Sequence, residues 1–324
     1  MKRLALLFFV LGLPCAALRA AEAPPVSAAA PAAPQMSPEE QGVQALVDRQ
    51  QALLAAAAKG GENFDMENFR TQMQDLATDY DHFLKKNPDY APAYAAYGVM
   101  LGKVGMRRQS AMILLKADEL FVHDDGKEGA RTPAFVRTWA LVKNQIGNYV
   151  AEEGKPLEAV NYFLAAIDLT PNEPLYHYQL GTLLTEARDD FLQSGHWTRP
   201  ALDQAMQGAF RRATELAPGR IELAYRYAET FVDLEVPDWE GALKAWAALE
   251  EKATTDFDRQ AMRLQAANIL IKQRKFDQAR VLLESVKVEP LQKEKLKLVA
   301  VLDAPAPAAP PATPNPEPAA SPAK

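Results

Sequence analysis

Between residues 38 and 303 the apolar positions fall into stretches of helical length, and none shows the every-second-residue alternation of a half-buried strand. Ser37-Pro38-Glu39-Glu40 opens the first stretch. A serine can cap free amides, a proline fits the first turn, and two acids face the positive end of the helix dipole. The pattern predicts a helix from 38 to about 58, stopped at Gly60-Gly61, and a second over 66–86. Asp65 is the cap of the second helix, and Asn87-Pro88 its stop. The chain is therefore expected to be all-α.

From residue 90 the apolar pattern repeats. Gly147 and Gly181 stand 34 residues apart, each preceded by an aliphatic residue in a first helix. Related sets are Tyr97-Gly98 with Leu114 and Ala117, and Ile146-Gly147 with Ala159, Phe163, Ala166 and Pro171. Further on come Leu180-Gly181 with Phe210, Ala213 and Pro218, Tyr227-Ala228 with Trp239, Ala242 and Trp246, and Ala266-Ala267 with Phe276, Ala279 and Leu283. The small residues let two helices approach closely, and Phe163, Phe210 and Trp246 are expected to fill the gaps between repeats. One helix pair leaves a face bare, so several must stack to close a core. Pro171 and Pro218 are 47 residues apart, so the third unit holds about 13 extra residues, centred on 189–199. Trp197 in that insertion must either pack on a neighbouring repeat or project to meet a partner.

A 34-residue unit with Leu-Gly in its first helix, Ala and an aromatic in its second, and a closing proline resembles the tetratricopeptide repeat. The resemblance covers about residues 90–290. It implies an α-solenoid of antiparallel helix pairs, with 37–88 as a degenerate first repeat or cap and 89–302 as the solenoid. The linkers 123–139 and 186–200 leave the repeat register open. In such stacks the first helices line a concave groove for an extended or helical peptide. Carried onto this chain, the groove positions are Asn144, Asn148, Tyr178, Gln179, Thr182, Tyr225, Arg226, Glu229 and Asn268. Asparagine amides both donate and accept, and tyrosines add rigid apolar area. Asn144 and Asn148 stand where chaperone-binding members hold part of a clamp for a terminal carboxylate. The clamp lysine is absent at both positions and only Arg226 offers charge nearby, so a carboxylate clamp is not expected.

The two ends differ from the middle. Residues 1–20 join a basic start, an apolar run over 4–13 and small residues, as a secretory signal does, with cleavage expected after Ala20. Residues 21–36 read as an Ala/Pro-rich linker and 303–324 as a disordered or polyproline-like tail. Cys15 is the single cysteine, so a processed chain has no disulfide and no thiolate chemistry. The expected location is the periplasm.

The formal charge is −6, and it grows more negative without Lys2, Arg3 and Arg19, which argues against binding a nucleic-acid backbone. His82, His123, His177 and His196 lack ligand spacing, and no GxSxG, HExxH or phosphate loop occurs. No cofactor, no metal and no catalytic site are expected, and no membrane-spanning segment once the signal is removed. The function expected is a protein- or peptide-binding scaffold of the bacterial envelope, its partner unidentified. The alternative is an accessory or catalytic subunit of an envelope enzyme complex.

Overall fold

A computed structural model describes residues 36–61 and 64–303. The signal segment with Cys15, the linker through residue 35 and the tail from residue 304 lie outside the described residues. Among the described residues the regular structure is helical throughout, with no strand.

The first two helices are α1 (Pro38–Lys59) and α2 (Met66–Lys86), and the Asp65 carboxylate accepts from the Asn68 amide to cap α2. Five pairs follow. They are α3 (Ala91–Lys103) with α4 (Arg107–Asp125), α5 (Pro133–Glu152) with α6 (Pro156–Leu169), and α7 (Pro174–Glu186) with α9 (Arg199–Leu216). The last two are α10 (Ile221–Asp233) with α11 (Trp239–Lys252), and α12 (Asp256–Lys272) with α13 (Phe276–Glu284). A short α8 (Arg188–Gln193) interrupts the third pair. After the fifth pair comes a 3-10 turn, Glu289–Leu291, and then α14 (Gln292–Asp303).

The small residues act where the repeat places them. A Cβ on Gly98 would stand 2.6 Å from the Leu114 side chain, and one on Gly147 or Gly181 would stand 2.9 Å from Phe163 or Phe210. Ala228, Ala267, Ala159, Ala242 and Ala279 are wholly buried at the corresponding sites. Phe163 and Phe210 thus pack inside their own helix pairs, over Gly147 and Gly181, and Phe210 also reaches the next pair, where the Arg226 guanidinium lies over its ring. Trp246 likewise meets Tyr225 of its own pair edge to face, ring centres 4.6 Å apart. The reason is geometric: a glycine opens the cleft within a pair, and the ring on the partner helix is the group long enough to fill it.

Three of the turns inside pairs share one form. A residue with left-handed backbone follows the first helix, and the next amide donates back to a carbonyl five residues earlier. Gly105 (φ 84°) and Gly154 (φ 76°) hold this place in the first two pairs. Met106 N–H donates to Leu101 O at 2.9 Å, and Lys155 N–H to Val150 O at 3.1 Å. In the fifth pair the place is held by Arg274, at φ 61°.

The two linkers of open register are closed by carboxylates, Asp118 half-buried and Asp203 buried. Helix α5 starts at Pro133, capped by Thr132, so it extends seven residues ahead of Ala140. Its Trp139 indole and Lys143 ammonium donate to the Asp118 carboxylate of α4 at 2.7 and 2.9 Å. The insertion of the third pair packs and does not project. Phe191 of α8 is fully buried, and Trp197 meets it edge to face at 5.8 Å within the central core. At its far end Arg199 donates to Asp203 (2.8 Å) and to the Asp233 carbonyl (2.6 Å). The buried Asp203 also accepts from the Glu235 amide at 2.6 Å. This strap holds the α10–α11 loop against the start of α9.

Candidate functional site

The expected groove residues all lie on first helices, and the structure sorts them into three groups. Asn144 is buried completely, and neither atom of its amide has a hydrogen-bond partner. One turn earlier Ala140 packs with Ala166 and Tyr176, so α7 covers this face of α5. Asn144 therefore lies beneath the surface, a correction to its expected place on an open groove. Asn148, one turn later, is half-buried.

The second group surrounds Phe210. Tyr178 meets that ring edge to face at 5.6 Å, and the Arg226 guanidinium lies over it at 5.2 Å. Tyr178 and Arg226 are thus joined across successive pairs by one buried ring. Thr182 donates to the Tyr178 carbonyl at 3.0 Å, which spends its hydroxyl proton on its own helix, and Gln179 keeps a buried carbonyl oxygen without a partner.

The third group lines a cleft between α10 and α12. Its walls are Arg226, Glu229, Val232, Asp233, Trp246, Gln265, Asn268, Ile269 and Lys272, around about 190 Å³. Arg226 donates to Glu229 at 2.9 Å. The Gln265 amide donates to the Tyr225 hydroxyl at 2.9 Å, which ties Tyr225 into the wall and against Trp246. Burial pushes the Tyr225 phenol up, the nearby Glu229 carboxylate adds to this, and the Gln265 hydrogen bond acts against it. At the edge, burial raises the Glu186 carboxyl while Arg226 draws it down. Asn268 and Lys272 make no hydrogen bond or ion pair among the described residues, so their donors and acceptor face the cleft unspent. Small-molecule sites commonly enclose roughly 300–1,000 Å³. A space of about 190 Å³ suits one side chain of a longer ligand.

Sequence reasoning found Arg226, Glu229 and Asn268 but missed Gln265 and Lys272. Their spacing on α12, Gln265, Asn268 and Lys272, is that of one helical face and was the available signal. Among the described residues no three His, Cys, Asp or Glu side chains converge as metal ligands, and no helix is long and apolar enough to cross a membrane.

No protein-family model and no curated protein sequence matches the chain. Solved structures do. One is the crystal structure of YrrB, described as a TPR protein with an unusual peptide-binding site. It aligns at a TM-score of 0.52 and 17% identity, over 69% of this chain and 99% of YrrB. The fold is that of the tetratricopeptide repeat. A chain from the structure of Naa15/Naa10 bound to HypK-THB also aligns, at a TM-score of 0.50 and 14% identity, over 82% of this chain and 34% of its own length. With the TPR arrangement in hand, the cleft lies between the first helices of the fourth and fifth pairs.

Proposed function

We propose that the chain is a protein- or peptide-binding scaffold of the bacterial envelope, without catalysis of its own, that takes its ligand across the first helices of its TPR pairs. The supporting observation is the cleft between α10 and α12. It joins a bound ion pair, Arg226 with Glu229, to the unspent polar groups of Asn268 and Lys272. Such a mixture of donors and acceptors with an aromatic floor, Trp246, suits a peptide backbone with one inserted side chain. The envelope location rests on the signal-like residues 1–20.

Tyr178 and Tyr225 are poor choices for mutation, because both pack on buried rings. Asn268→Leu with Lys272→Glu alters the cleft without touching the core. In a crosslinking pulldown from periplasm, the native chain should capture a protein that the double variant loses while keeping its helical circular dichroism. Equal capture by both chains would overturn the assignment of this cleft.

A further inference from the structure

A second cleft opens on the end of the solenoid where the turns inside pairs lie. It is bordered by Pro237, Asp238, Trp239, Glu240, Leu243, Gln273 and Lys275, and encloses about 670 Å³. Trp239 is only half-buried, and its indole N–H makes no hydrogen bond among the described residues. Opposite it, the Gln273 side-chain oxygen is buried and has no partner. An aromatic wall with one spare donor and one spare buried acceptor is the chemistry that receives a polyproline-type strand. Such a strand has no internal hydrogen bonds, so its carbonyls are free to accept, and its proline rings stack on indole.

The chain carries a proline-rich sequence directly after the helix whose end packs beside this cleft. Helix α14 runs back along α13, and Arg280 holds its end by donating to the Leu302 carbonyl and the Asp303 carboxylate. Leu302 belongs to one hydrophobic cluster with Ile271 and with Leu243, the latter a wall of the cleft. The next eight residues, 304–311, read APAPAAPP, and 304–316 contain no charge. At roughly 3.1 Å per residue these eight reach about 25 Å. Ala306, Ala308 and Ala309 keep amide protons for the Gln273 oxygen.

We infer that the Trp239–Gln273 cleft is a docking site for this chain's own proline-rich segment, residues 304–316. Tethering makes the contact intramolecular, so a weak site suffices to fill it. The cleft is separate from the Asn268–Lys272 cleft, and failure of one assignment leaves the other standing.

The test uses the full chain with Cys15→Ser and a nitroxide on Ala308→Cys. Trp239 emission, taken as the difference from a Trp239→Phe chain, should fall by roughly twofold relative to the chemically reduced label, because tethering keeps the segment near the cleft. Adding Pro305→Ser and Pro307→Ser, which lie outside the helices, should restore the emission. An unchanged Trp239 signal would overturn the proposal. So would quenching that fades on dilution, which would mark a second copy as the occupant, or stronger quenching from a label on Ala29 in the N-terminal Ala/Pro-rich segment.

Discussion

Arg274 occupies a backbone conformation that glycine holds in the first and second pairs. Its φ of 61° is matched by the same pair of turn hydrogen bonds, Arg274 N–H to Ile271 O and Lys275 N–H to Leu270 O, both 2.9 Å. A side chain at left-handed φ costs roughly 1–2 kcal/mol, of which glycine returns part as unfolded-state entropy. Arg274 is exposed and its side chain makes no hydrogen bond or ion pair among the described residues, so little is lost with it. Arg274→Gly should therefore stabilise the chain by about 0.5–1 kcal/mol, read as a higher urea midpoint at unchanged slope. A lower midpoint would show that the guanidinium contributes more than its geometry indicates.

At the scale of elements, the helix pairs were legible and their joints were not. A glycine or alanine facing a bulky side chain leaves a fixed-period mark in the sequence, because close approach requires it locally. Asp118 and Asp203 leave no such mark. Each is one carboxylate in a helix, and the partners through which it closes the joint, Lys143 and Trp139 in one case and Glu235 in the other, stand more than twenty residues away. The same holds for the site. Arg226 and Asn268 follow from helix position, whereas the burial of Asn144 depends on how α7 leans over α5, which no local pattern encodes. Hydrogen bonds to charged groups contribute about 1.5–3 kcal/mol. Asp203→Ala should thus destabilise by about 2–3 kcal/mol and leave the Glu235 amide exchanging freely in hydrogen-exchange measurements. Retained protection at Glu235 would mean that the loop is held by other contacts.

For the whole molecule, the apolar core is a series of clusters and not one mass. A central cluster runs from Ala91 to Phe210, and the C-terminal pairs hold two smaller ones around Trp246 and Leu283. Stacked repeats unfold in proportion to local and nearest-neighbour terms. Residues 221–303 should lose amide protection at lower urea than residues 114–210, with more than one transition in the melt. A single coincident transition for both regions would contradict this division.

The Arg199–Asp203 strap has a mechanical consequence. Apolar faces slide over one another at small cost, because dispersion contacts have no preferred direction, whereas charged hydrogen bonds resist shear. The junction between the third and fourth pairs is thus locked against sliding, as the α4–α5 joint is at Asp118. Bending the solenoid should shift its curvature away from these two joints and leave the distance from Tyr178 to Arg226 fixed, like the jaw width of a set calliper.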